Sequence, residues 1–313
     1  PRRVLEGQFY LVTRRTLLRM FMLRPHPEVN AMFEYCLAEA AARFDIDLIA
    51  WCAMSNHYHA VIYDRNGRAP AFIEHFHKML AKALNRHYGR YESVWSRDQT
   101  CLTRLVTLED VFDKVVYVLT NPAAAHLVDN IVHWPGSSSW DLMGRSKTKN
   151  VTRPRYYFSG DGRMPPVAGL RVVAPHGLEA TGKSYKKWTE RVRAGVELRQ
   201  EALKKKRKNG VLGRKRVQKM DPFDSPKTEA PRRNLRPHLA CKNKKRMTEE
   251  RLQLRRFRAD YRDMRERLRE GKRPILFPYG TYRLRLLGLR CEGCPPPPED
   301  AKKRPPPRAK KTA

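Results

Sequence analysis

Apolar positions in the N-terminal part of the chain, up to Trp140, change their period several times, which divides this part into strands and helices. Short aromatic and β-branched runs predict four strands, at 8–14, 46–54, 57–64 and about 100–106. Apolar residues at helical spacing predict three helices, one opened by Pro27, one over 70–89 and one that starts at Thr107 and continues through Tyr117. The predicted order is β-α-β-β-α-β with one helix added.

This order predicts the α+β fold class, as a ferredoxin-like antiparallel sheet with its helices packed on one face. The helix that starts at Thr107 is an addition at the C-terminal end of this core. Beyond Trp140 the periodicity degrades, and two segments at 183–208 and 247–271 have helical propensity but few apolar positions. The predicted domains are a folded domain at 1–142, a Gly/Pro/Ser-rich linker at 143–182, a basic helical extension at 183–285 and a disordered Pro/Lys-rich tail at 286–313.

Charge is concentrated in the C-terminal part of the chain. The whole chain has 65 Lys and Arg against 32 Asp and Glu, of which residues 1–140 hold only 16 and 14. Residues 141–313 therefore hold 49 basic and 18 acidic residues, a net charge of +31. Such a segment repels itself unless a polyanion neutralises it, so we expect a nucleic acid partner and expect the charged helices to fold only against DNA.

Membrane and redox signals favour a cytoplasmic protein. No apolar run reaches the 18 or so residues that a membrane span needs, so no membrane partner is expected. The cysteines in the first half are scattered singly, which is typical of a reducing compartment. Four residues of the basic part have zinc-like local spacing, although the two pairs are far apart, so a structural zinc is the less favoured interpretation: His238, Cys241, Cys291 and Cys294.

Two histidines of the third predicted strand form a candidate metal site. In a strand, residues i and i+2 point to the same face, so His57 and His59 project together while Tyr58 turns toward the core. Two neutral imidazoles make a half-site for a divalent metal, although a pair of surface histidines is the alternative. His75 and His77 have the same spacing but lie in a predicted helix, where they diverge by about 200° and cannot share a metal.

The added helix carries a candidate nucleophile. Its apolar positions gather on one face of a helical wheel, whereas Asp113, Tyr117 and Asn121 form a polar stripe away from it. A half-exposed tyrosine with one hydrogen bond is the alternative interpretation of Tyr117. A phenol is a poor nucleophile unless a metal makes the phosphate electrophilic, so the histidine pair and Tyr117 mean more together than apart. The amide oxygen of Asn121 could complete the shell of a Mg or Mn ion.

Two stretches carry a resemblance to a known family. The segment MSNHYHAVIY (54–63) resembles the metal-binding strand of the HUH nucleases. The segments YVLTNPAAAHLV (117–128) and WPGSSSW (134–140) are similar to the REP-associated tyrosine transposases, which belong with the single-tyrosine insertion-sequence transposases. The likeness covers about residues 5–142. One departure is Ala124, where relatives usually carry an arginine.

The resemblance implies a reaction and a set of roles. Tyr117 would attack single-stranded DNA to leave a 5′-phosphotyrosine and a free 3′-OH, and a second 3′-OH could reverse the step and rejoin strands. His57 and His59 would bind the metal, with Asn121 as third ligand. The substrate would be an imperfect hairpin beside a single-stranded guide sequence, and the enzyme would be a monomer or a homodimer.

Other residues could bind the DNA, and two other functions compete. A basic groove with aromatic side chains is typical of single-strand binding, and the candidates are Arg14, Arg15, Arg86, Arg90, Arg97 and Trp95, with Arg65, Arg68, Tyr88 and Tyr91 beside them. The main rival is a non-catalytic basic DNA- or RNA-binding protein, which composition alone would favour. The second is a metallophosphodiesterase that uses an activated water.

Overall fold

The computed structural model describes residues 1–145, 147–155, 157–159, 162, 164–178, 182–228 and 237–293. They belong to two compact units, one of residues 7–242 and one of residues 1–6 with those from 243 onward. The larger unit contains, in chain order, β1 (Gln8–Arg15), α1 (Pro27–Phe44), β2 (Ile46–Ala53), β3 (His57–Asp64), α2 (Ala69–Tyr88), β4 (Cys101–Leu105), α3 (Leu108–Leu119), α4 (Asn121–Ala124), β5 (Lys149–Thr152), β6 (Val167–Leu170), α5 (Gly182–Lys206), α6 (Arg214–Lys219) and β7 (Leu239–Ala240). Short 3₁₀ helices lie at Leu17–Arg19, Ile131–His133 and Trp140–Leu142.

The sheet of the larger unit has the strand order β2-β3-β1-β4-β7. The first four strands pair antiparallel, and the two-residue β7 pairs parallel with the edge of β4. The predicted β-α-β-β-α-β order and the α+β fold class are confirmed. Strand β7 has no counterpart among the predicted strands, because two residues carry no periodicity.

Local signals fix where the helices begin and end. Helix α2 ends at Gly89, whose φ of 63° is left-handed backbone that glycine adopts without strain. Helix α3 begins with a capping box: the Thr107 side chain accepts from the Asp110 N–H, and the Asp110 carboxylate accepts from the Thr107 N–H. This cap fixes the residue at which α3 begins. It therefore also fixes the side of the helix from which the Tyr117 side chain projects.

The two faces of the sheet are covered by different helices. Helices α1 and α2 pack on the face that carries Tyr58, Ala60 and Ile62 of β3, as predicted for the core helices. Helix α3 packs on the opposite face, where Val61 joins the second cluster of buried residues. His57 and His59 alternate with Tyr58, so both lie on the α3 face.

The region predicted as a linker, 143–182, is in part folded. Strands β5 and β6 form an antiparallel hairpin that packs against α1, and Val151, Ala168 and Leu170 are buried in the core on that side. Strand β5 buries only Val151, and β6 buries only Ala168 and Leu170, so their apolar signal is lost among the flanking glycines, prolines and arginines.

Helix α5 has a partner within the chain, contrary to the expectation that the charged helices fold only against DNA. Trp188, Val192 and Val196 recur every four residues and are buried against α3. Phe112 of α3 turns toward α5, where its ring lies 5.9 Å from that of Trp188. One buried residue per turn therefore suffices to dock this helix.

The smaller unit contains α7 (Lys244–Arg269) and a short 3₁₀ helix at Arg285–Leu287. Helix α7 is highly charged and buries Phe257, and the ring of Tyr261 contacts those of Phe257 and Phe277. Most of the predicted tail at 286–313 lies outside the described residues. Among the helices that the structure describes, none has both the length and the apolar character that a membrane span requires.

Candidate active site

Strand pairing places the two histidines of β3 on one face and close together. His59 lies opposite Thr13 of β1, and His57 lies opposite Arg15. The His57 and His59 rings have centroids 4.9 Å apart and meet edge to face. The sheet therefore brings the two imidazoles together as the i, i+2 spacing predicted.

Hydrogen bonds at Nδ1 orient both rings. His57 Nδ1 lies 2.7 Å from Asn56 Oδ1, and His59 Nδ1 lies 2.7 Å from Thr13 Oγ1. Because an amide oxygen only accepts, His57 Nδ1 donates, and the lone pair of the neutral ring is at Nε2. A hydroxyl can accept in the same way from His59. Hydrogen-bonded Nδ1 atoms with available Nε2 atoms are typical of metal-binding histidines.

The environment keeps both imidazoles neutral at physiological pH. Burial, with smaller contributions from Arg15 and Arg19, lowers the pKa of His57 to about 4. Burial is also the largest cause of a His59 pKa well below its usual range, followed by the charges of His57 and Arg15. A protonated ring cannot bind a metal, so these low pKa values keep the lone pairs available.

Tyr117 lies beside this pair. Its ring centroid is 5.3 Å from that of His59, and the two rings meet edge to face. The side chain is only half-buried on the α3 face of the sheet. The structure therefore brings the phenol and the histidine pair to one place, which a common site requires, while the roles of these residues stay predictions.

Two cationic side chains flank the Tyr117 ring. Lys114 Nζ lies 5.7 Å from the ring centroid and Arg199 Cζ lies 5.5 Å from it. Lys114 precedes Tyr117 by one helical turn of α3. Arg199 comes from α5 and was not among the predicted site residues. A signal for the inward-facing side of this helix was present in the stripe of Trp188, Val192 and Val196.

Asn121, the predicted third ligand, begins α4 just after the helix of Tyr117. Its Nδ2 is buried and has no hydrogen-bond partner within the described part of the protein. Flipping the side-chain amide exchanges Nδ2 and Oδ1, which would leave an unpaired oxygen at that position. An unpaired amide oxygen is a hard ligand, so the donor chemistry of Asn121 and of the two neutral histidines suits a Mg or Mn ion, while the role of Asn121 as third ligand stays a prediction. Ala124 ends α4 and is exposed. Because its methyl side chain carries no charge, it offers no cation for a phosphate.

Of the predicted DNA contacts, Trp95 is contradicted. Its ring is buried, its Nε1 donates to His77 O at 3.0 Å, and it packs edge to face on Tyr58, so it cannot stack on a base. It lies in a polar stretch of sequence, but a bridge between Trp95 and Thr16 brings it to the end of β1, where it packs against the core.

The predicted arginines fall into two groups. Arg14 donates to the backbone carbonyls of Ser96 and Asp98, and Arg90 pairs with Glu92 and lies over Phe223, so both have partners within the protein. Tyr88 likewise donates to Met22 O. Arg65 pairs with Asp47 at 2.6 Å. The candidate side chains that remain exposed for DNA are Arg15, Arg68, Arg86, Arg97 and Tyr91, the last being 97% exposed.

The remaining histidines have other surroundings. His75 pairs with Glu39 at 2.7 Å, and His77 Nε2 bonds the Tyr58 hydroxyl at 2.7 Å, so these two have separate partners as their helical spacing predicted. Among the described residues, three possible metal ligands gather at one other place, which is formed by His26, Glu28 and His87. The predicted zinc set includes Cys294, which lies outside the described residues.

No protein-family model matches this sequence. Nor does any curated protein match it. A solved structure described as a REP-associated tyrosine transposase bound to a REP hairpin is similar over 56% of this chain and 98% of its own, with 16% identity and a TM-score of 0.40. A "putative transposase" from Deinococcus radiodurans is similar over 37% of this chain and 92% of its own, with 16% identity and a TM-score of 0.29. Both descriptions agree with the resemblance that the sequence motifs carry. At such identities and TM-scores the likeness carries no argument about function, which depends on the site itself.

Proposed function

We propose that this protein is a transposase-like DNA strand transferase that cuts single-stranded DNA near hairpin or palindromic repeats and can rejoin strands. The observation that carries the proposal is the position of the Tyr117 ring, 5.3 Å from the His59 ring, which in turn is 4.9 Å from the His57 ring. A nucleophile and a pair of metal ligands within this distance can act on one phosphate.

The reaction is a transesterification at that phosphate. Tyr117 Oη attacks the phosphorus, the bond from phosphorus to the 3′ oxygen breaks, and the DNA 5′ phosphate becomes linked to the tyrosine. The phenol proton is lost and the departing 3′ oxygen gains one, so no water is consumed. A 3′-OH from another strand end can attack the phosphotyrosine and reverse the step, which joins strands.

The chain's own residues position this step. His57 and His59, neutral and held at Nδ1, would hold a divalent Mg or Mn ion, with Asn121 as third ligand. When bound, such an ion polarises the phosphate and offsets its charge. The cap at Thr107 sets the phase of α3 and so aims Tyr117 toward the histidines, while the half-buried position of Tyr117 leaves its ring reachable by a strand of DNA.

Single-stranded DNA is the proposed substrate because the exposed cations and the exposed aromatic side chain suit an unpaired strand. Arg15 lies across from His57 at the site, Arg86 and Arg97 are exposed, and Tyr91 is free to stack on a base. Hairpin DNA is the form that the motif resemblance implies.

A covalent-adduct assay tests the proposal. The full chain is incubated with Mn²⁺ or Mg²⁺ and a pool of fluorescent oligonucleotides, each with a hairpin and a randomised single-stranded flank. We expect an SDS-resistant adduct that Tyr117→Phe abolishes. The matched control is Tyr91→Phe, which removes the hydroxyl of another accessible tyrosine but keeps the ring that would stack on a base, so it should leave the adduct intact.

The two rival functions give different products. A metallophosphodiesterase would release cut DNA without an adduct and would retain cutting in Tyr117→Phe. A non-catalytic binding protein would retard the oligonucleotides in a native gel and leave them uncut. Either pattern in the wild type would overturn the proposal.

A further inference from the structure

Helix α5 of the basic extension is fixed against the helix of Tyr117. Beyond its buried stripe, Gly195 lies so close to α3 that a Cβ there would come within 3.0 Å of the Phe112 ring and 3.1 Å of a Val116 methyl. Gln200 is buried, and its Oε1 accepts from the Ile131 N–H at 3.0 Å. The helix is therefore held on both sides of Arg199, the residue that reaches the tyrosine.

Arg199 differs from the other arginines on the inner part of α5. Arg191 forms a two-pronged ion pair with Glu109, and Arg193 lies over the Trp140 ring and donates to Met143 O. Over the ranges that the structure describes, no carboxylate pairs with Arg199. Its guanidinium instead lies 5.5 Å from the Tyr117 ring centroid, and Lys114 Nζ lies 5.7 Å from the same point.

We propose that Arg199 is a catalytic residue supplied by the extension, which contacts the non-bridging oxygens of the scissile phosphate and of the phosphotyrosine. This inference rests on the proposed function. Charge on those oxygens must be stabilised as Tyr117 attacks. A guanidinium that has no carboxylate partner can stabilise it, and because a docked helix holds it in place, the side chain needs little reorganisation. The extension is then part of the active site as well as a source of DNA affinity.

The test measures the rate of adduct formation at saturating oligonucleotide for Arg199→Ala and Arg199→Lys in the full chain. Lys186→Ala is the matched control, because Lys186 lies on the same helix with its side chain 80% exposed and loses the same charge. DNA affinity is measured separately in the Tyr117→Phe background. We expect Arg199→Ala to slow the adduct about 10²-fold, with Arg199→Lys in between, and to change affinity only a few-fold.

The outcomes separate the two claims. A wild type that forms no adduct refutes the proposed function itself. A wild type that forms adduct at a rate that Arg199→Ala does not change refutes the role of Arg199 alone. A loss in Arg199→Ala that arises from lower affinity, or that Lys186→Ala reproduces, also contradicts a catalytic role.

A second and independent observation concerns the group formed by His26, Glu28 and His87. Each side chain offers one ligand atom, and these atoms all lie within 4.8 Å of one another, between the start of α1 and the end of α2. His87 Nδ1 is 3.0 Å from Glu28 Oε2, and the Tyr157 hydroxyl lies 2.9 Å from the same nitrogen. His26 Nδ1 is buried and has no hydrogen-bond partner among the described residues.

We propose that these three side chains form a zinc site separate from the active site. Two imidazoles and a carboxylate are a ligand set that zinc accepts, with a fourth position for water or the phenol. The site lies on the α1–α2 side of the sheet, opposite His57 and His59, so it would fasten α1 to α2 without taking part in the strand transfer.

Zinc binding is tested in the full chain with His57 and His59 both replaced by alanine, so that the active site does not contribute. Competition with a chromophoric chelator should give about one zinc per chain, and zinc should raise the melting temperature. Adding His87→Ala or His26→Ala should abolish both effects, whereas His133→Ala, an exposed histidine elsewhere, should change neither. No zinc bound, or zinc retained in both variants, would refute the site.

Discussion

The two faces of β3 carry similar residues, histidine and tyrosine, but these residues have different roles on each face. On the α1–α2 face, Tyr58 and His77 hydrogen-bond each other at 2.7 Å inside the core. On the α3 face, His57 and His59 are hydrogen-bonded at Nδ1 to Asn56 and Thr13, and the Tyr117 ring lies 5.3 Å from that of His59. A histidine bonded to a buried core hydroxyl serves stability, whereas two neutral histidines beside a half-buried tyrosine can serve a ligand.

The largest expected effect separates these two faces by activity. His57→Ala should reduce the rate of adduct formation at least about 10²-fold, because it removes one of the two imidazoles that would bind the metal. The measurement is the adduct rate together with Mn²⁺ affinity, which should fall in parallel. Tyr58→Phe is the counterpart on the other face and should leave both nearly unchanged; equal losses in the two variants would erase the distinction.

The next effect separates the faces by stability. His77→Ala removes the partner of the buried Tyr58 hydroxyl and leaves that hydroxyl without its bond, so the free energy of unfolding should fall by about 1–3 kcal/mol. Urea unfolding measures this change. At urea concentrations below the unfolding transition, the rate of adduct formation should stay close to that of the wild type. A stable but inactive His77→Ala would show that His77 belongs to the site.

A pH series sharpens the same comparison. Burial is the main cause that lowers the pKa of His77 to about 3, so the ring is neutral in the folded state where an unfolded histidine takes up a proton. The unfolded state then binds more protons between pH 6.5 and about 3, and stability falls as the pH is lowered through this range. The slope from this one residue is about 1.4 kcal/mol per pH unit. His77→Gln should flatten the slope by that amount, and an unchanged slope would contradict a buried neutral ring.

How much of the molecule the sequence predicts depends on how strong the periodicity is. Residues 1–142 have long apolar repeats and clear caps, so their elements and the His57, His59 and Tyr117 arrangement were predictable. The β5–β6 hairpin and the docking of α5 rest on one buried residue per two or four positions, a signal that the surrounding charge hides. Arg199 was not predicted, because its position depends on how α5 packs against α3, which only the weak stripe of Trp188, Val192 and Val196 indicates.

The smallest effect concerns the charged α7. Replacing Arg255, Arg256 and Arg262, which are exposed, by glutamine should weaken DNA binding several-fold and reduce the dependence of log affinity on log salt by about 0.7 for each phosphate that is no longer neutralised. Filter binding at several salt concentrations measures both. The rate of adduct formation at saturating DNA should not change. This result would distinguish charges that only hold DNA near the protein from the charge of Arg199, which would act in the reaction.

The most direct test of the central claim is to identify the residue that becomes linked to DNA. The wild-type protein is reacted with the oligonucleotide pool and Mn²⁺, the adduct is digested with nuclease and protease, and tandem mass spectrometry locates the remaining nucleotide. We predict a 5′-phosphate ester on Tyr117. A nucleotide on any other side chain, or cut DNA with no linked peptide, would contradict the proposed strand transfer.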